Sequence, residues 1–432
     1  MPLGGRRLLG AVGVCALLAG CGPCDGGDER GAAAPPPAAP TASPAAPAAT
    51  PTPTAQTDSQ QVPAGELAVG LTEQNPNFIW PAGAREVPGE FARWRDELAK
   101  LKPSYYRLVL DWPSLEPGDG KPVFDGFNGG CLRDKQPCAA YGGLRDQLKA
   151  LAARQREGGW ETLAVMSGTP EWAARPAGGC ERDNTTPRSR PARDMATYTR
   201  FVERVLAEAR AQGAELKYWS PWNEPNHPYF ISPQRMECDR DAPSAAVGPY
   251  VEMARALKAG LDAAPGDQQL VLGELAGLDR SRPMTTSVSE FVADIPADMA
   301  CGSAIWTQHG YVGGRDPVDD LERALARKGC KSPKIWITET GVGAPRSGEE
   351  RRTSRAAQVR ACGRLHQRLR KWYRDPRVSV AFQYTFREDD LFPTGLITTD
   401  LSSDFPALGE WTAWGGGRRP QPTDPPPPNS CA

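Results

Sequence analysis

Two glutamates close short aromatic and β-branched runs in this chain. Glu224 follows "YWSPWN" within the stretch 218–228, and Glu339 closes "KIWITE" at 334–339. Side chains alternate along a strand, so Ile335, Ile337 and Glu339 are expected on one face, with Trp336 and Thr338 on the other. The same parity groups Tyr218, Ser220, Trp222 and Glu224. Ile335 and Ile337 suit a barrel interior, which would set Glu339 at its mouth. Two carboxylates converging from separate strands are what glycosidic bond cleavage needs. One protonates the leaving oxygen, and the other attacks the anomeric carbon or activates a water. A single glutamate at a strand end could equally pair with an arginine or cap a helix. The two together, with aromatics around them, favour the chemistry.

Such a pair needs a scaffold that brings strand ends together. From Leu67 onward, strand-like runs fall at 67–72, 105–112, 161–167, 217–222, 270–275, 304–309, 334–339 and 379–386. Amphipathic helical stretches lie between them, at 89–101, 143–156, 192–212, 246–263, 286–294, 317–328 and 353–374. Strands alternating with helices predict a parallel sheet with crossover helices, and eight repeats predict a (β/α)8 barrel over 66–415. The competing doubly wound sheet would call for a glycine-rich phosphate loop after the first strand. "GLTEQNPNF" contains none. In a barrel the chemistry gathers at the C-terminal strand ends, where Glu224 and Glu339 fall.

"WNEPN" and "WITETG" resemble the acid/base and nucleophile motifs of clan A glycoside hydrolases, with families 39 and 5 the nearest in pattern. The resemblance implies a retaining enzyme with Glu224 as general acid/base and Glu339 as nucleophile. It also implies Asn223 on the sugar 2-hydroxyl, Arg107 of "YYRLVLDW" supporting the ionised nucleophile, Tyr311 bonding it and His309 touching substrate. Glu224 is expected to stay protonated in an apolar setting beside a negative charge. The last strand departs from the pattern: where the clan commonly has tryptophan, "QYTFREDDLF" offers Phe386 as the sugar floor. Trp112, Trp172, Trp222 and Tyr229 are further stacking candidates, each also compatible with plain packing. No cofactor is expected. A non-catalytic carbohydrate-binding lipoprotein and a transglycosylase are the alternatives.

Composition excludes other classes. The 432 residues carry 51 basic and 52 acidic side chains, with no basic excess to meet nucleic-acid phosphates. Three histidines leave little for a multi-histidine metal site. Residues 1–20 read as a signal peptide: Arg6 and Arg7, then an apolar run too short to span a bilayer. "LLAGC" resembles a lipobox, which implies lipidation of Cys21 and a membrane anchor; an ordinary secretory signal is the alternative. Residues 21–65 are an Ala/Pro/Thr-rich tether with too little apolar bulk to fold, and 416–432 are a proline-rich tail. Cysteines outside the signal and tether are even in number, which suggests disulfides in an exported protein. The expected pairs are Cys180–Cys238 between two loops on the catalytic face, Cys301–Cys330 on the opposite face, Cys131–Cys138 locally, and Cys362–Cys431 pinning the tail.

Overall fold

The structure is a computed structural model that describes residues 67–126, 142–312, 315–331, 333–342, 354–388, 393–415 and 425–431. The expected signal, the tether, Cys21, the Cys131–Cys138 pair and most of the tail lie outside the described residues.

The strands are β1 (Ala68–Thr72), β2 (Tyr105–Asp111), β3 (Glu161–Ser167), β4 (Tyr218–Ser220), β5 (Gln269–Leu270), β6 (Leu272–Leu275), β7 (Ile305–His309), β8 (Lys334–Thr340) and β9 (Val378–Tyr384). All pair in parallel, in the order β5-β4-β3-β2-β1-β9-β8-β7-β6. The two ends of that order, β5 and β6, are separated in sequence only by Val271. They are one stave interrupted once, so the sheet returns on itself as a (β/α)8 barrel. Gly273 explains the irregularity: its φ is +115°, and a Cβ there would lie 2.1 Å from the Thr307 carbonyl oxygen. Only glycine lets this stave press against β7 and turn the next residue, Glu274, inward.

The helices are α1 (Pro76–Ile79), α2 (Gly89–Leu101), α3 (Trp112–Leu115), α4 (Gly143–Glu157), α5 (Met195–Gln212), α6 (Val247–Ala263), α7 (Val288–Asp294), α8 (Ala297–Gly302), α9 (Val318–Arg327), α10 (Arg355–Arg374) and α11 (Pro406–Gly415). Local chemistry sets their ends. Asp194 caps α5 by accepting from the Ala196 amide, and Gly213 ends it in the left-handed conformation. Ser354 caps α10 by accepting from the Ala357 amide. Tyr198, Phe201, Val202, Val205, Leu206 and Ala209 form the buried stripe of α5, at the spacing of one helical face.

The core has two compartments. One fills the space between strands and helices and includes Phe201, Leu272, Ile335, Ile337 and Leu365. The other fills the barrel: Ala68, Tyr105, Leu163, Val165, Tyr218, Val271, Ile305, Trp336, Val380 and Phe382. Trp336 is its hub, with ring centroids 4.7 Å from Tyr218 and 5.0 Å from Tyr105. This corrects the expected parity of β8, because Ile335 and Ile337 face the helices and Trp336 faces inward. Glu339 still reaches the mouth because β8 carries a bulge. Gln308 pairs with Ile337 and His309 with Glu339, so Thr338 is the extra residue and the alternation resets.

Three disulfides form among the described residues, Cys180–Cys238, Cys301–Cys330 and Cys362–Cys431, pairing as expected. Among the described residues no helix is long and apolar enough to cross a membrane.

Candidate active site

Five strand ends converge on one buried polar cluster. Arg107 on β2 is fully buried. Its Nη1 lies 2.9 Å from Glu339 Oε1, and its Nη2 donates to Asn223 Oδ1 at 2.6 Å. Its Nε and Nη2 donate to Glu274 Oε2 at 3.0 and 2.5 Å. A planar guanidinium serves three acceptors in one geometry, which an ammonium would not. Buried charge of this kind persists only when paired. The carboxylates around Arg107 hold its proton more firmly than usual, against the opposing effect of burial.

Backbone bonds place the acid/base candidate. β4 ends at Ser220, after which the chain leaves extended geometry. The Asn223 amide donates to the Met166 carbonyl at 2.9 Å, and the Glu224 amide to the Glu274 carbonyl at 2.9 Å. Asn226 ties this loop to the next stave: Nδ2 donates to the Ala276 and Thr286 carbonyls, and Oδ1 accepts from the Ala276 amide. Glu224 and Glu274 both take positive φ, 37° and 53°. Such backbone costs about 1–3 kcal/mol at a non-glycine residue and survives where surrounding bonds over-determine it.

His309 sits among all three carboxylates. Its Nδ1 lies 2.8 Å from Glu224 Oε1 and 3.3 Å from Glu339 Oε2, and its Nε2 lies 3.2 Å from Glu274 Oε2. Tyr311 donates its hydroxyl to Glu339 Oε2 at 2.6 Å, and its ring meets Tyr384 edge-on at 6.4 Å. The facing oxygens of Glu224 and Glu339 and a ring nitrogen of His309 lie within 4.8 Å of one another.

Burial opposes charge on His309, but Glu339, Glu224 and Glu274 overcome it and push the imidazole up to about 10. Burial likewise opposes the Glu274 carboxylate, yet Arg107 and His309 bring it down to about 2. Burial also pushes Glu224 up, and here the His309 bond and charge prevail, leaving the carboxyl below its ordinary value. This corrects the expectation that an apolar setting keeps Glu224 protonated in the resting site. Burial and the neighbouring Glu339 charge push the Tyr311 hydroxyl well above its ordinary value, so it stays a donor. The spacing of Glu224, His309 and Glu339 alone would admit a cation. The Arg107 guanidinium and the His309 imidazole already face these carboxylates, and the cluster reads as an ion-pair network.

Arg107, Asn223, Glu224, His309, Tyr311 and Glu339 are thus brought together. Trp222 and Phe386 are not. Trp222 is fully buried on the helix side and donates Nε1 to the Phe230 carbonyl at 2.6 Å. Phe386 is fully buried and packs on Phe78, with centroids 5.6 Å apart. Its carbonyl accepts from the Leu396 and Ile397 amides. Trp112 is also core, stacked on Phe201 at 5.3 Å. Trp172 is half-buried and bonded to the Glu116 carbonyl, whereas Tyr229 is 71% exposed beside the His227 ring. Sequence reasoning missed Glu274 and Tyr384. A glutamate after glycine in the apolar run "LVLGEL" was a signal for the first. The alternation Val380, Phe382, Tyr384 was a signal for the second.

No protein-family model matches the chain, and no match was found among curated proteins. Solved structures are similar in fold. A conserved exported protein from Bacteroides fragilis aligns at TM-score 0.53 and 16% identity, over 83% of this chain and 79% of its own. SrfJ from Salmonella typhimurium aligns at TM-score 0.50 and 11% identity, over 83% and 78%. A family 39 glycoside hydrolase from Bacteroides cellulosilyticus WH2 aligns at TM-score 0.47 and 14% identity, over 82% and 64%. At these identities the likeness concerns the fold.

Proposed function

We propose that the protein is a retaining glycoside hydrolase acting on an oligo- or polysaccharide outside the cytoplasm. The observation that carries this reading is the close pairing of Glu224 and Glu339. Their facing oxygens lie within 4.8 Å. Retaining enzymes hold the two carboxyl groups closer than inverting enzymes, which leave room for a water between them; nearest oxygens this close, with Arg107 and Tyr311 fixing the Glu339 carboxylate, favour direct attack by Glu339.

Glu339 is the nucleophile. Arg107 and Tyr311 aim one oxygen each, and Tyr311 keeps its proton while Glu339 attacks the anomeric carbon. Glu224 protonates the leaving oxygen and then deprotonates the water that releases the sugar. Asn223 spends Oδ1 on Arg107, so its NH2 is what it offers to a sugar hydroxyl beside the scissile bond. Tyr384, half-buried at the end of β9 and set against Tyr311, takes the flanking place expected of Phe386. The disulfides fit an oxidising compartment, in keeping with export and with an anchor at Cys21.

The test incubates the full chain and its Glu339→Gln variant with activated 2-fluoro glycosides of several sugars, read by intact mass. The expected result is a covalent adduct on the wild type that the variant lacks, and the sugar that labels names the substrate class. Binding of oligosaccharides with no adduct from any sugar would move the reading to a non-catalytic carbohydrate-binding protein.

A further inference from the structure

The two-glutamate mechanism leaves one carboxylate of this cluster without a task. Glu274 is sealed from solvent: its side chain is 0% accessible. Its Oε2 takes Arg107 on one side and His309 Nε2 on the other. The opposite ring nitrogen, Nδ1, faces Glu224 Oε1 and Glu339 Oε2. A neutral imidazole has one ring proton and can donate from one nitrogen only. Carboxylate oxygens on both nitrogens therefore call for a further proton, and the contact from Nδ1 to Glu224 Oε1 is the shortest the ring makes.

We propose that His309 stores the proton that Glu224 delivers to the leaving oxygen, and that Glu274 is the positioning residue that keeps it there. This rests on the glycosidase reading above. With Glu274 ionised beside Nε2, the second proton belongs on the ring and Glu224 rests as a carboxylate. As the sugar binds, Nδ1–H passes to Glu224 Oε1, and the glycosidic oxygen takes that proton. The bond from C1 to the leaving oxygen breaks as the bond from C1 to a Glu339 oxygen forms. In the second half, water attacks C1, the Glu339 ester bond breaks, the water proton goes to Glu224, and it returns to Nδ1. No electron is exchanged with any other reactant. Esterification removes the Glu339 charge as the departing proton removes the His309 charge, so the dry cluster keeps the same net charge throughout. That constancy matters because an uncompensated buried charge is expensive.

The groups facing the ring come from every stave around it. They are Glu224 beyond β4, Glu274 on β6 and Glu339 on β8. Arg107 on β2 lies across the latter two, Tyr311 bonds Glu339, and Tyr384 packs on Tyr311. Of these, Glu274 alone meets Nε2 among the hydrogen bonds described above, so removing its charge leaves the Nδ1 contacts in place while Arg107 keeps Glu339 and loses one of its two carboxylates.

The test is nitrogen-15 NMR of histidine-labelled full chain. The chain has three histidines, and a His309→Asn variant assigns the signal. The expected wild-type spectrum has both His309 nitrogens protonated at neutral pH. In Glu274→Gln, deprotonation of the ring and the alkaline limb of kcat/KM should both move down by about one to three pH units, while Glu274→Asp restores them toward wild type. A neutral His309 ring in the wild type at neutral pH overturns the proposal, whether or not Glu274→Gln folds. So does a variant that loses rate with its limb unmoved. A neutral ring in a chain that still labels with a 2-fluoro glycoside defeats the proton store and keeps the glycosidase. A charged ring in a chain that neither labels nor turns over any glycoside defeats the glycosidase reading, and with it the delivery step.

Discussion

At the residue scale, three glutamates share one imidazole and one guanidinium, and their surroundings set them different tasks. Glu274 is sealed from solvent, while the Glu224 side chain keeps 20% of its surface exposed. A sealed carboxylate can tune its neighbours but cannot meet a substrate. The same network ties stability to pH. The Glu274 carboxyl falls from 4.5 to about 2 on folding, so its contribution is whole above pH 4.5 and lost as pH falls toward 2. The His309 imidazole rises from 6.5 to about 10, so its contribution is whole below pH 6.5 and lost as pH climbs toward 10. Their joint contribution is whole between pH 4.5 and 6.5 and declines on both sides. Thermal unfolding followed from pH 3 to 10 should show that decline. In His309→Asn, which cannot titrate, the alkaline slope attributable to this group should vanish; an unchanged slope would assign it elsewhere. The convergence of Glu224 and Glu339 was legible in sequence because motif and strand end coincided. Glu274 was not, because its meaning depends on Arg107 and His309, which lie 167 and 35 residues away.

At the element scale, the strands and the seven helices expected between them followed from periodicity, but α11 after the last strand had no counterpart among them, and the way each strand ends did not follow either. Parity was applied to β8 as though the strand were regular, and the inward residue is Trp336. The bulge at Thr338 hid this, since it returned Glu339 to the expected side by a different route. β4 stops at Ser220, so counting onward to Trp222 by twos has no physical basis, and the indole goes to the Phe230 carbonyl. On β9 the strand ends two residues earlier than Phe386, and Tyr384 is the last inward side chain. The exchange of Phe386 for Tyr384 can be measured. Phe386→Ala removes a fully buried ring from the Phe78 contact and should cost about 3–5 kcal/mol of stability while leaving KM near wild type. Tyr384→Ala should do the reverse, raising KM with a smaller stability loss, because its ring is only half-buried. Denaturant midpoints and steady-state kinetics on the two variants separate these outcomes. A Phe386→Ala protein of normal stability and raised KM would return the phenyl ring to the substrate floor.

At the scale of the whole molecule, the barrel closes between β9 and β1, and covalent links hold what lies outside that closure. Cys362 on α10 is bonded to Cys431, across 69 residues of chain. Beside the bond, Glu410 of α11 is fully buried and accepts from the Ser430 amide at 2.9 Å and from Trp414 Nε1 at 2.7 Å, with His366 Nδ1 2.8 Å away. The tail therefore supplies a donor that α11 needs, and α11 in turn packs against α2, α10 and β1. Closing a loop of this length restricts the unfolded chain by about 4 kcal/mol on the chain-entropy view. Replacing both cysteines by alanine removes that restriction and frees the segment whose Ser430 amide serves Glu410. The expected outcome is a clearly lower melting temperature under non-reducing conditions. The pH limbs of kcat/KM should stay where they were, because none of these groups contacts Arg107, Glu224, Glu274, His309 or Glu339 among the interactions described here. Differential scanning calorimetry and a pH–rate profile on the same preparation make the comparison. Unchanged melting would mean the tail adds nothing to the fold, and shifted limbs would mean that the seam between β9 and β1, where Tyr384 ends its strand, transmits the state of the tail to the active site.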